Sequence, residues 1–147
     1  MFKAAIIATA LVTAPPAFAD LVTKPSASPV DLTMDALVNA VEGAGATVFA
    51  RVDHTAGAET AGMFMADAEL LIFGNPKLGT PAMQDDIRAG LFLPLRVLVY
   101  ADAAGATQVA YEHAADLFDG LEIAADADYV AKIEQALSTL TDKAVAN

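Results

Sequence analysis

The chain has 147 residues, with eight Lys and Arg against nineteen Asp and Glu, a formal charge of −11, and no cysteine. Thiol catalysis, thiolate metal sites, iron–sulfur clusters and covalently attached c-type haem are therefore excluded. A phosphate backbone is a poor partner, because nucleic-acid affinity depends on cationic side chains that release condensed counterions.

The first nineteen residues read as a cleavable secretory signal. Met1-Phe2-Lys3 is a short positive start, and Ala4 to Thr13 is an uncharged, largely apolar run. Such a run is shorter than the roughly twenty residues a bilayer span needs. Pro15 and Pro16 break it, and Ala17-Phe18-Ala19 has the small-x-small pattern of a processing site, which places the mature start at Asp20. Lys3 is the only charge in this leader, so the remainder, residues 20–147, carries −12 and has the size of one domain. The expectation is a periplasmic or secreted protein with no membrane span after signal removal. Its acidic residues are scattered rather than blocked, the pattern of a solvated surface.

In chain order, Asp20 to Pro29 reads as an opening strand or extended arm and a turn. Thr33 to Ala44 is helical, with Met34, Leu37, Val38 and Val41 on one stripe, Asp31 or Thr33 available as N-cap, and Gly43 and Gly45 at its end. Thr47 to Val52 is a strand that exits at Asp53-His54. Thr55 to Gly62, rich in alanine and glycine, predicts a short helix packed closely on a neighbour. Glu69 to Phe73 is a strand apolar enough to be buried on both faces. It runs into Gly74-Asn75-Pro76-Lys77-Leu78-Gly79-Thr80-Pro81, the densest group of turn-forming residues, followed by a helix over about 82–89. Leu95 to Tyr100 and Thr107 to Tyr111 are strands joined by a tight turn at Asp102 to Gly105, and so should pair antiparallel. A short helix follows His113. An amphipathic helix from about Asp128 to Leu140 turns Tyr129, Val130, Ile133, Leu137 and Leu140 to one side. Strands and helices alternating in this way predict a single layered α/β domain, its mixed, partly antiparallel sheet covered by helices, with the amphipathic helix at the C-terminus.

Three segments in this order, Val52-Asp53-His54, Phe73-Gly74-Asn75-Pro76-Lys77 and Leu93-Pro94-Leu95-Arg96-Val97, together with the Val109-Ala110-Tyr111 strand, resemble the domain-of-unknown-function family 302. The core match covers about residues 30–121, which leaves the last helix outside it as a local elaboration. The resemblance implies a compact α/β fold with a mixed sheet and a homodimer. It implies no activity.

Few residues could carry chemistry. His54, one of two histidines, sits at a strand exit, where it either transfers protons or ligates a metal, or merely caps the strand. The Gly74 to Thr80 segment offers close backbone approach at its glycines, the carboxamide of Asn75 and the charge of Lys77. It is either a cradle for an anion or a sharp turn at a subunit interface. It lacks the lysine-serine or lysine-threonine pair of a phosphate-binding P-loop. Arg96 interrupts an apolar strand, so it pairs internally with an acid such as Asp53 or Glu69, meets a ligand carboxylate, or lies on an exposed edge. Met63 and Met65 near His54 give a weak copper signal, since methionine is usually packing material, and a lone histidine could also hold haem. Asp85-Asp86 reads as a pair of solvated charges on a helix. Zinc-protease and serine-nucleophile motifs are absent.

The leading expectation is a homodimeric, non-catalytic module that binds a small ligand or a partner protein near His54 and the Gly74–Thr80 loop. The alternative is a small enzyme with His54 as general base and Lys77 or Arg96 stabilising negative charge. The third is copper or haem binding through His54 and the methionines.

Overall fold

The computed structural model describes residues 21–146. The expected signal segment lies outside the described residues.

Five strands, β1 (Leu21–Ser26), β2 (Thr47–Asp53), β3 (Ala68–Gly74), β4 (Leu95–Ala101) and β5 (Thr107–Glu112), form one sheet in the order β1-β5-β4-β3-β2. All four pairings are antiparallel. The layered α/β architecture expected from the sequence is present, but no pairing in the sheet is parallel. Alternation of strands and helices suggested crossover units, yet the two helices that link β2 to β3 and β3 to β4 do not cross the sheet face. The first, α2 (His54–Thr60), buries none of its residues, and the second, α3 (Pro76–Asp85), packs on the C-terminal helix and on the 3-10 turn Ile87–Leu91. A link that turns beyond the strand ends returns the chain antiparallel.

One face of the sheet is covered by α1 (Val30–Gly43) and by the C-terminal helix, which follows the single-turn α4 (Ala114–Leu117) and is α5 (Asp128–Val145). The predicted stripe of α1 is the buried one: Met34, Leu37 and Val41 are fully enclosed, and Val38 packs at their margin. From α5, Val130, Ile133, Leu137 and Leu140 share one buried core with Leu71, Phe73, Val97, Val99 and Val109 of the sheet. Each such side chain contributes roughly 1.5–3 kcal/mol by leaving water. The opposite face has no covering layer, so Leu70, Ile72 and Leu98 are half-buried there. Thus β3 is not enclosed on both faces as its run of apolar residues suggested.

Helix ends show where sequence signals were kept and where they were displaced. Neither Asp31 nor Thr33 caps α1. The helix starts directly after Pro29, and Thr33 is buried, its hydroxyl 2.8 Å from that of Ser26. At the other end Gly45 adopts φ +73°, Ala46 N–H donates to the Val41 carbonyl and Gly45 N–H to that of Glu42. This is the double closure that a left-handed residue after the helix permits. Gly62 ends α2 in the same way. The Gly74–Pro81 group of turn-formers is largely helical: Asn75 accepts from Lys77 N–H at 3.0 Å and Pro76 takes the first helical position, so the turn residues act as a helix start. Arg51, on the helix side of β2, donates to Glu69 of β3 and to Asp35 of α1, which ties the edge strand to the helix layer.

Asp86 is not a solvated surface charge. It is 8 % exposed, and its carboxylate accepts from the Arg88 N–H and guanidinium and from the Glu122 N–H at 3.0 Å. The Arg88 side chain, then the Glu122 and Arg88 amides, hold its carboxyl far below the usual range. A carboxyl depressed in the folded state adds stability above its unfolded pKa, near 4, and loses it as pH falls toward the folded value. Chemical unfolding from pH 6 downward should therefore show stability declining below about pH 4.5, and Asp86→Asn should flatten that decline while lowering stability at neutral pH.

Candidate functional site

A groove of about 540 Å³ opens at the end of the sheet where β3 finishes and β4 begins. Its volume lies within the roughly 300–1,000 Å³ of small-molecule sites. Phe73, Leu95, Ile133 and Leu140 form its apolar floor. Leu78 and Met83 of α3 and Ala136 and Thr139 of α5 form the walls, while Phe49 and the turn at Ala44 and Ala46 close one end. The walls stand apart because β3 hands the chain to α3 beyond the sheet edge, whereas α5 lies against the sheet. Contact between the two helices is secured by Tyr129 of α5, whose hydroxyl donates to Asp85 of α3 at 2.6 Å.

Burial, and then the bond to Asp85, push the Tyr129 phenol up to about 12. An acid raised in the folded state stabilises it below the unfolded value, near 10, and loses that contribution as pH climbs through 12. An absorbance titration should show a tyrosine ionisation near pH 12. Tyr129→Phe should remove that late step and cost roughly 0.5–1 kcal/mol for the lost hydrogen bond.

Gly74 and Asn75 line the groove. A Cβ at Gly74 would stand 3.5 Å from both the Phe49 ring and Pro94, so the groove end is closely packed there. The N–H groups that the sequence offered as an anion cradle are already engaged: Lys77 with the Asn75 side chain, Leu78 and Gly79 with the Asn75 carbonyl. Lys77 is exposed and does not line the groove.

His54 lies at the opposite end of the sheet. In the β2–β3 register Thr47 faces Gly74 while Asp53, just before His54, faces Glu69, so the length of a strand separates His54 from the groove. At roughly 3.4 Å per residue this is about 20 Å. The structure of a single chain does not bring His54 together with Lys77, Gly74 or Asn75. His54 is exposed as the first residue of α2, which Asp53 caps by accepting from Ala56 N–H at 2.8 Å. Met63, Phe64 and Met65 follow Gly62 in the same region and are exposed, Phe64 at 99 %. The two methionines occupy a loop. Among the described residues no group of three or more His, Asp or Glu is placed to hold a metal ion. Arg96 points to the open face and pairs with Glu112 of β5 at 3.8 Å, not with Asp53 or Glu69, which are taken by the α2 cap and by Arg51.

Sequence reasoning missed the α5 wall. Lys132, Ala136, Thr139 and Lys143 recur at helical spacing beside the apolar stripe, and all four line the groove. That small and polar row, flanked by the only two lysines of α5, was the available signal.

Fold and groove together define a two-layer α/β module with a concave apolar site at its strand ends. The chain belongs to the family described as Domain of unknown function DUF302, whose model matches residues 22–144 and thus takes in α5, which is part of the family domain rather than a local addition. The crystal structure of the uncharacterized conserved protein DUF302 from Bacillus stearothermophilus superposes with a TM-score of 0.76 at 21 % identity, covering 84 % of this chain and 97 % of that one, a likeness of fold. The chain is also 45 % identical over 85 residues to Fluoride-specific ion channel FluC 1 of Brucella suis biovar 1 (strain 1330), which is 58 % of this chain and 34 % of that protein. FluC 1 of Brucella abortus biovar 1 (strain 9-941) matches equally, over 32 % of its length. The chain therefore spans about a third of the curated relatives it matches. No helix among the described residues is long and apolar enough to cross a membrane.

Proposed function

We propose that the chain is an exported, non-catalytic binding module whose ligand occupies the groove between α3 and α5. The observation that carries this is the groove itself, a concavity of about 540 Å³ with an apolar floor and a few polar groups at its margin, the usual composition of a small-molecule site. The residues that line it include no His, Asp or Glu to serve as a general base, so binding is better supported than catalysis. The match to one third of longer proteins named as ion channels supports an appended module whose work differs from conduction. Export is carried by the leader motif of residues 1–19. A homodimer is part of the same reading, favoured by the uncovered sheet face, where Val52 is exposed beside the half-buried Leu70 and Leu98 is half-buried on the next strand. Light scattering of the purified chain, with Leu98→Lys for comparison, should give a dimer for the native chain and a monomer for the variant.

The test of the site is thermal melting with alkyl ligands, native chain beside His54→Ala and Ala136→Trp. Stabilisation of the native chain and of His54→Ala, but not of Ala136→Trp, is the expected result. Stabilisation lost only in His54→Ala would move the site to the other end of the sheet.

A further inference from the structure

We infer that the groove receives the Met63–Phe64–Met65 loop of a second copy of this chain, so that copies associate head to tail. The inference deepens the proposed function by naming a partner for the groove, and it rests on the groove being a binding site. Its first basis is the loop. Met63, Phe64 and Met65 are all exposed, Phe64 almost completely. Single apolar residues are ordinary on a protein surface, whereas three large ones in succession form a patch, the usual sign of an interaction site. The loop is held ready at both ends: Met63 N–H donates to the Ala58 carbonyl and Ala68 N–H to the Thr55 hydroxyl, each at 2.9 Å, which ties it to α2. A projecting segment fixed in this way has less freedom to lose on docking.

The second basis is charge. From Asp53 to Asp67 the chain carries three exposed carboxylates, Asp53, Glu59 and Asp67, and no Lys or Arg. The groove is the reverse, since none of its lining residues is Asp or Glu. Lys24, Arg51, Arg88 and Arg96 hold carboxylates within the chain. Lys132 of the groove and Lys77, between the lining residues Pro76 and Leu78, form no ion pair among the described residues. An apolar knob with an acidic collar thus meets an apolar trough with cations beside it, the complementarity that orients one surface on another. Place is the third basis. Loop and groove lie at opposite ends of the sheet, so a chain cannot fill its own groove. The contact is heterologous, the loop of one copy in the groove of the next. Three side chains bury far less than the roughly 1,000 Å² of a stable complex, so the expected dissociation constant is on the order of 0.1–1 mM.

The experiment is an amide-shift titration between variants that each keep one half of the contact. The isotopically labelled Phe64→Ala chain keeps the groove. The unlabelled Ala136→Trp chain supplies the loop, with the unlabelled native chain as a second donor. Far-UV circular dichroism confirms the fold of each. Saturable shifts at Gly79, Ala136 and Thr139 of the labelled chain, half complete at about 0.1–1 mM donor, are the expected result. With the Phe64→Ala/Ala136→Trp double variant as donor, the association should weaken at least about tenfold. Absence of the groove shifts with both donors, equal shifts with the double variant, or shifts confined to Leu70, Ile72 and Leu98 on the open sheet face would overturn the head-to-tail contact. Decanoate added to the labelled chain alone then separates the two readings: groove shifts with decanoate leave the groove as a small-ligand site, and their absence removes the groove as well.

Discussion

Leu137→Ala is expected to lower the melting temperature by about 10 °C, from a loss of roughly 3 kcal/mol. Leu137 is 1 % exposed, between Ile133 and Leu140 on the buried stripe of α5, and it belongs to the core cluster that also holds residues of α1 and the sheet. Truncation removes the transfer free energy of the side chain and leaves a cavity that rigid neighbours fill only in part. Phe64→Ala provides the contrast. Its ring is larger, but at 99 % exposure it has no packing to lose, so its effect should stay within about 0.5 kcal/mol. Equal destabilisation by the two changes, measured by thermal and urea unfolding, would mean that α5 does not seal the core as described.

Ala136→Trp should weaken ligand binding by at least about 30-fold, equivalent to about 2 kcal/mol, with a small change in melting temperature. Ala136 sits in the middle of the α5 wall and is half-buried, so an indole there extends into the groove and occupies the volume that an aliphatic chain would take. The fold tolerates it because the side chain enters open space instead of a packed interior. The native chain contains no tryptophan, so the variant also reports its own placement. Emission shifted to shorter wavelength shows the indole lying in the apolar trough, and emission typical of water shows it turned outward.

The parts of the fold legible in the sequence are those where one segment carries its whole signal. The stripe of Met34, Leu37 and Val41 and that of Val130, Ile133, Leu137 and Leu140 fixed two helices and their buried faces, because helical periodicity is a local property. The Asp102–Gly105 turn was legible for the same reason: Asp102 accepts from the Ala104 and Ala106 amides and from Gln108, closing the hairpin within seven residues. Pairing in the rest of the sheet was not. Whether a linking helix crosses the sheet or turns at its end depends on what it packs against, and α3 packs on α5, some fifty residues further along the chain.

The same distinction explains the site. Gly74 and Asn75 drew attention as unusual residues and do line the groove, but as a close-packed end and a helix cap, with Lys77 directed elsewhere. His54 drew attention for its chemistry, and the register of β2 with β3 sets it a strand's length away. The groove is assembled from the α1–β2 turn, the β3 end, α3, the β4 start and α5, and most of its residues are apolar. No single segment announces it. Only the row Lys132, Ala136, Thr139 and Lys143 carried a local trace, a face of α5 too small and too polar for the core and too cationic for the surface of so acidic a chain.

The most direct measurement is a two-dimensional amide spectrum of the isotopically labelled chain titrated with decanoate. Shifts concentrated at Gly74, Asn75, Gly79, Ala136 and Thr139, with His54, Gly57 and Phe64 unmoved, are the expected result. Shifts confined to His54 and the Met63–Met65 loop would place the ligand at the other end of the sheet and contradict the assignment of the groove.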